Sequence, residues 1–324
     1  MSVNKIKSKS IDFKKILSTY SIFFVLIIFV IICSMLNSRF LTSNNILNIL
    51  RQQSVVTIIA FGEMVLIITG HLDLSAGSVI AFAGVVSVMI YKSTYNIIIS
   101  FLVAILISVI VNLINALMVT RFNVPAFIAT LSTQLVARGA ALYITNGQNI
   151  YEVGDYVKVG QGSVLGIPAP AIFAIVVFII IAYLLKHTIW GRSIYAVGGN
   201  SDAALASGIN VKMVTLKAFI LNGILVGIAA VLFMSRVNGG LPAGASGYEM
   251  DALTATIIGG TSFTGGVGTA GGTIIGALIV GVLTNIMNLM SMDSYIQQMV
   301  RGALIALAVV WDIYAKSHKN KMKG

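Results

Sequence analysis

Ile97-Ile-Ile-Ser-Phe-Leu-Val-Ala-Ile-Leu-Ile-Ser-Val-Ile-Val-Asn-Leu-Ile-Asn-Ala-Leu-Met-Val-Thr120 carries no charged side chain over its whole length. As a helix rising 1.5 Å per residue, such a run matches the hydrocarbon core of a bilayer, about 30 Å thick. Lipid offers backbone amides no hydrogen-bond partner, and the run is too long for a barrel strand, so it reads as a transmembrane helix. A second uninterrupted block, from Ile172 to Leu185, repeats the pattern. These are solid apolar blocks, not the one-sided stripes of a water-facing helix.

Working outward, the 324-residue chain is 57% hydrophobic and only 10% charged, with a mean hydropathy of +0.96. Soluble domains average about 25% charged residues, so water is not the solvent for most of this chain. The fold class expected is an all-α membrane protein, a single polytopic bundle of about ten helices. The spans are read at 18–36, 54–70, 78–91, 97–119, 125–145, 169–186, 212–234, 250–262, 272–292 and 295–313. An even count puts both termini on one side. Residues 1–17 form a basic segment before this domain of residues 18–313, and residues 314–324 form a basic tail.

The net charge of +11 is concentrated at the ends. Lys5, Lys7, Lys9, Lys14 and Lys15 precede the first apolar block, and Lys316, Lys319, Lys321 and Lys323 follow the last. With the N-terminus inside, Arg121, Lys186, Arg192 and Lys212 join them on inner segments, whereas Arg39, Arg51, Lys92, Lys158 and Arg236 fall outside. That excess of inner cations favours cytoplasmic ends facing anionic lipid; eight or nine spans with re-entrant pieces fit the same bias. No aromatic residues interleave with the terminal lysines as a base-stacking surface requires, so nucleic acid is not a partner. The first block is longer than a signal-peptide core and no A-x-A site follows it, so it is read as retained. Cys33, the only cysteine, can form no intrachain disulfide.

Nothing between spans approaches the size of a soluble catalytic domain. The larger connections are residues 146–168, read as outer, and 190–211, read as inner. The spans 78–91 and 250–262 look too short to cross comfortably. They adjoin the turns Gly70-His-Leu-Asp-Leu-Ser-Ala-Gly77 and Gly259-Gly-Thr-Ser-Phe-Thr-Gly-Gly-Val-Gly-Thr-Ala-Gly-Gly272. Broken helices at membrane depth persist only where buried in protein or lining a watery cavity, which is the mark of a transporter.

Other motifs exclude functions. Gly266-Val-Gly-Thr-Ala-Gly271 fits G-x-G-x-x-G but lies between spans, without the strand and the following acid of a dinucleotide site, so close packing and positive φ are its better uses. Gly223-Ile-Leu-Val-Gly227 and Gly272-Thr-Ile-Ile-Gly276 let helices approach closely in lipid. No G-x-x-x-x-G-K-[ST] occurs, so this chain does not hydrolyse ATP; His71, His187 and His318 are isolated, so neither metal nor hydrolytic chemistry is expected and the chain reads as no enzyme. Glu63, Arg138, Lys217, Asp251 and Arg301 fall within or beside spans, where charge is costly; they either line a polar cavity or pair internally.

Four stretches together resemble the ribose-type sugar permease family of ABC importers over nearly the whole chain: Asp73-Leu-Ser-Ala-Gly77; Val124-Pro-Ala-Phe-Ile-Ala-Thr-Leu131; Gly191-Arg-Ser-Ile-Tyr-Ala-Val-Gly-Gly-Asn200 with Ser207-Gly-Ile209; and Gly247-Tyr-Glu-Met-Asp-Ala252 with Ile258-Gly-Gly-Thr-Ser262. The resemblance implies a multi-pass subunit of a bacterial plasma membrane importer. Its partners would be a second permease subunit, identical or paralogous, an ABC ATPase subunit holding ATP and Mg, and an extracytoplasmic sugar-binding protein. No cofactor is expected on this chain. A short cytoplasmic helix would dock on the ATPase, and the matching residues here are Gly191, Gly198, Gly199, Asn200, Ala203, Ala204, Ser207 and Gly208. Leu205 stands where relatives often carry a basic residue, and His71 where a small residue is usual. Asp73, Ser75, Asn123, Arg138 and Asn222 are the candidate path residues. Ribose is the first substrate expected, with galactosides, xylose, other pentoses or a sugar-derived signal open. The competing readings are a branched-chain amino-acid permease, an ion-coupled secondary transporter and a membrane enzyme acting on lipid-linked sugars.

Overall fold

The computed structural model describes residues 21–321. They form α1 (Ser21–Leu36), α2 (Ser43–Ile68), α3 (Ala76–Thr94), α4 (Ile97–Phe122), α5 (Ala126–Ile144), α6 (Val157–Gln161), α7 (Ala169–His187), α8 (Ile189–Gly199), α9 (Ser201–Ala206), α10 (Val211–Arg236), α11 (Tyr248–Ile258), α12 (Ala270–Leu289) and α13 (Ser294–Lys321). A two-stranded antiparallel hairpin, β1 (Ser163–Val164) and β2 (Ile167–Pro168), precedes α7. The protein is an all-α polytopic membrane protein. The N-terminal basic segment, the start of the first span and Lys323 lie outside the described residues.

Eight of the helices are long and apolar enough to cross a membrane: α2, α3, α4, α5, α7, α10, α12 and α13. The described α1 and the 11-residue α11 are shorter, so the expected count of ten rests on two helices that are individually below crossing length. The expected span 78–91 needs correcting. The helix there runs over 19 residues, because Ala76-Gly77 at its start and Lys92-Ser-Thr94 at its end continue the helical hydrogen bonding beyond the expected block. α2 likewise begins well before the expected residue 54, since its polar first turns, with Asn45, Asn48, Arg51 and Gln52, are helical. Only α11 stays short, about 16 Å at 1.5 Å per residue, half a bilayer core.

α2 and α10 form the centre: α2 is buried without interruption from Gln53 to Ile68, and α10 packs against α4, α2 and α3. Both G-x-x-x-G pairs lie where backbones approach. A side chain at Gly227 would strike Ile105 of α4, and one at Gly276 would strike the Ala255 carbonyl of α11. Asparagine and threonine set helix starts by accepting otherwise orphaned amides: Asn96 from Ile98 and Ile99, Thr188 from Gly191, Asn200 from Ala203 and Asn210 from Met213. The other end of the bundle is closed by residues 154–161. There Tyr156 is buried, its hydroxyl 2.9 Å from Ser87 Oγ and its carbonyl accepting from Ser235 Oγ at 2.5 Å. Burial pushes the Tyr156 phenol up.

Candidate functional site

The chain does not pass straight from α2 into α3. Gly70, at φ 84°, closes α2 by donating to the Ile67 carbonyl, and the irregular segment 71–75 then doubles back alongside α2. The Asp73 amide donates to both Glu63 carboxylate oxygens at 3.2 Å. Asp73 Oδ1 accepts from the Ser75 amide at 2.7 Å and from its hydroxyl, which fixes the first turn of α3. Asp73 Oδ2 accepts from Asn222 Nδ2 of α10 at 2.7 Å, and the same nitrogen donates to Asn112 Oδ1 of α4 at 3.0 Å. Asn115 of α4 carries the network on: its Nδ2 donates to Ser75 Oγ at 3.3 Å, and its Oδ1 accepts from Thr133 of α5 at 2.8 Å. Glu63, Asp73 and Asn222 are 2%, 1% and 0% exposed. Among the described residues neither carboxylate has an ion-pair partner; backbone and amide donors hold them instead.

A second break lies between α10 and α11. From the end of the bundle marked by the pairing of Ile150 with Gly240, residues 237–247 descend into the interior. Arg138 NH1 of α5 satisfies two of their carbonyls, Pro242 O and Gly244 O, at 2.8 Å each. Gly247, at φ 82°, starts α11. Glu249 in its first turn is buried, with Gln134 Nε2 3.5 Å away. The two breaks meet at Gly77: a side chain there would strike Glu249 Oε2 and the Ala245 carbonyl. The starts of α3 and α11, both carrying the positive end of a helix dipole, are thus brought together with carboxylates beside them. Asp251 pairs with Arg301 of α13 at 3.4 Å. A cavity of about 560 Å³ opens beside Gly247, lined by Ser246, Gln297, Gln298 and Arg301.

At the α8/α9 end, a cavity of about 580 Å³ lies between the α2–α3 turn and α9, with His71, Asn123, Asp202 and Leu205 in its lining. Gly198 of α8 sits so close to the Ile68 carbonyl that no side chain fits. That carbonyl also accepts from the Gly266 amide at 2.9 Å, and Tyr195 OH donates to the Gly268 carbonyl at 2.8 Å. α8 is therefore seated on the end of α2 and on the glycine-rich turn, where Gly265 and Gly266 adopt φ 84° and 73°.

Of the candidate path residues, Asp73, Ser75 and Asn222 come together at the first break, Arg138 holds the second, and Asn123 lies apart as the left-handed cap of α4 beside the α8/α9 cavity. In the 191–208 set, Gly191 packs on the Leu184 and Leu185 carbonyls, Gly198 and Gly199 end α8, Asn200 caps α9, Ala203 and Ala204 lie within it, and Ser207 and Gly208 close it. Leu205 projects from this helix, 63% exposed. Reading the sequence missed Asn112, Asn115, Thr133, Gln134 and Glu249 as members of the site. Asn112 and Asn115 were findable: two amides three residues apart share one face of the most apolar span, and a polar stripe in lipid must meet a partner. No cluster of three or more His, Cys, Asp and Glu able to hold a metal occurs among the described residues.

The family described as branched-chain amino acid transport system / permease component matches residues 45–309. The ribose import permease protein of Haemophilus influenzae is 39% identical over 302 residues, 92% of this chain and 94% of that protein. The D-allose transport system permease protein of Escherichia coli is 36% identical, covering 94% of this chain and 95% of that protein. The L-arabinose ABC transporter permease protein of Azospirillum brasilense is 34% identical, covering 88% and 84%. No solved structure matches.

Proposed function

The chain belongs to the family described as branched-chain amino acid transport system / permease component, and on that premise we propose that it is the membrane-spanning permease subunit of an ATP-binding cassette importer for a monosaccharide. The observation that carries this reading is the meeting of two helix breaks at Gly77, inside a bundle whose long relatives bear the names of ribose, allose and arabinose permeases. A neutral polyhydroxylated solute needs dense hydrogen-bonding groups at membrane depth, and broken helices with buried amides supply them. Ribose is the first candidate because the ribose permeases have the higher identities.

ATP is hydrolysed by a partner subunit, with its Mg, and not by this chain. The sugar arrives from an extracytoplasmic binding protein, and a second permease copy or paralogue completes the path. The α8/α9 end is cytoplasmic in this reading, consistent with the inner excess of Lys and Arg. α9, with Leu205 outward, docks on the ATPase. Its motion passes through α8 to the end of α2 and the glycine-rich turn, because Gly198 and the Ile68 carbonyl are in contact. The first break, tied to four neighbouring helices, acts as a fulcrum. The second, held chiefly by Arg138, yields.

The family description and Glu249 beside Gln134 and Arg138 keep one second reading in play, a branched-chain amino-acid permease. Uptake of labelled ribose in cells carrying this chain with its ATPase and binding protein separates the two. Competition by allose or arabinose but not leucine supports the sugar reading; competition by leucine alone, or uptake without an ATPase, refutes it.

A further inference from the structure

Far from α8 and α9, the opposite ends of α2, α10 and α12 enclose a cavity of about 650 Å³, within the size range of small-molecule sites. Its lining is dense in amide and guanidinium groups for so apolar a chain. Asn48, Arg51 and Gln52 come from α2, Gln161 from α6, Arg236 from α10 and Asn285 from α12; no carboxylate takes part. We propose that this cavity is a solute-contacting vestibule, in which planar amide and guanidinium groups engage the hydroxyls of a neutral sugar before it reaches the second helix break. The proposal rests on the monosaccharide reading above.

Three features build the site. Its wall is fixed by a reciprocal amide pair, Asn45 Nδ2 to Asn285 Oδ1 at 2.9 Å and Asn285 Nδ2 to Asn45 Oδ1 at 2.8 Å, which joins α2 to α12. The side chain of Gln52, partly buried, makes no hydrogen bond within the described residues, so its amide offers both a donor and an acceptor to a ligand. Arg236 connects the cavity to the path: its NH2 donates to the Tyr248 hydroxyl at 3.1 Å, at the first residue of α11, while Gln161 Nε2 holds its carbonyl at 3.0 Å. Flat groups bearing two donors, or a donor and an acceptor, match adjacent hydroxyls of a pyranose or furanose, each of which can donate and accept.

The test uses the complete complex of permease, ATPase and binding protein in proteoliposomes, with labelled ribose as probe and Gln52→Leu as the variant, since it removes an amide that supports no internal bond. Sugar moved per ATP hydrolysed should fall about tenfold, the loss of one or two hydrogen bonds to solute. Docking of the binding protein and its stimulation of ATP hydrolysis should stay within twofold of the unaltered complex, and Gln52→Asn should recover part of the loss. Unchanged transport per ATP would overturn the vestibule while leaving the permease reading intact. Loss of docking in parallel with transport would overturn it too, assigning the cavity to protein contact. Unaltered complexes that move no monosaccharide would overturn both.

Discussion

The two helix breaks solve the same problem in opposite ways. At residues 69–75 the backbone turns within a closed network: Glu63, Asn222, Asn112, Asn115 and Thr133 come from α2, α10, α4 and α5, and every bond of that network is to another buried group. Residues 237–247 are tied at one end by the backbone pairing of Ile150 with Gly240, and beyond it Pro242 O and Gly244 O lean on a single guanidinium, Arg138, with an open polar cavity beside Ser246 and Gly247. A backbone held from several helices cannot move without breaking them all; one held at one end and by one side chain beyond it moves more readily. In the proposed transport cycle the first break is the anchor and the second the moving part, and the proposed lever from α9 reaches the anchor first.

The sharpest challenge to that division is at the seat of the lever. Gly198→Val places a side chain on the Ile68 carbonyl; overpacking of this kind costs about 3 kcal/mol, enough to lower ATP-driven uptake about a hundredfold. Uptake should fall much further than the amount of chain in the membrane. Asp73→Leu leaves the Asn222 and Ser75 donors unpaired in a buried site, and should cost about 3 kcal/mol of stability, read as a large drop in unfolding temperature in detergent. Asp73→Asn, which keeps an acceptor, should lose much less. Arg138→Leu tests the other break. Uptake is expected to fall about tenfold with a smaller change in unfolding temperature than for Asp73→Leu, because the carbonyls it frees belong to a segment whose Ala243 and Ser246 are exposed; a stability loss equal to that of Asp73→Leu would erase the distinction. The smallest effect is expected at Tyr156→Phe, which removes the contact with Ser87 beyond both breaks and should cost about 1 kcal/mol of stability with normal uptake.

Much of the architecture was legible because lipid is a severe solvent: a run such as 97–120 has one physical reading. The short α11 and the turn at Asp73 were also visible, since glycines and an acid inside apolar sequence demand explanation. What escaped was which polar residues face one another. Asp73, Ser75 and Asn222 could be named, yet their link through Asn112 depends on how α4 and α10 rotate against each other, set by Gly223 and Gly227 packing on Ser108 and Ile105. Asn123 and Arg138 carried the same polar signal, and only helix packing separates one to the α8/α9 cavity and the other to the second break. Span ends were misread at α2 and α3 because hydropathy stops where side chains become polar, whereas helical hydrogen bonding does not.

Hydrogen exchange of the two breaks, measured in the assembled complex with and without ATP turnover, reaches the central claim directly. The account predicts that amides of residues 237–247 change their exchange on turnover while those of residues 70–75 stay protected. Exchange that changes at residues 70–75 and stays constant at residues 237–247 would contradict it.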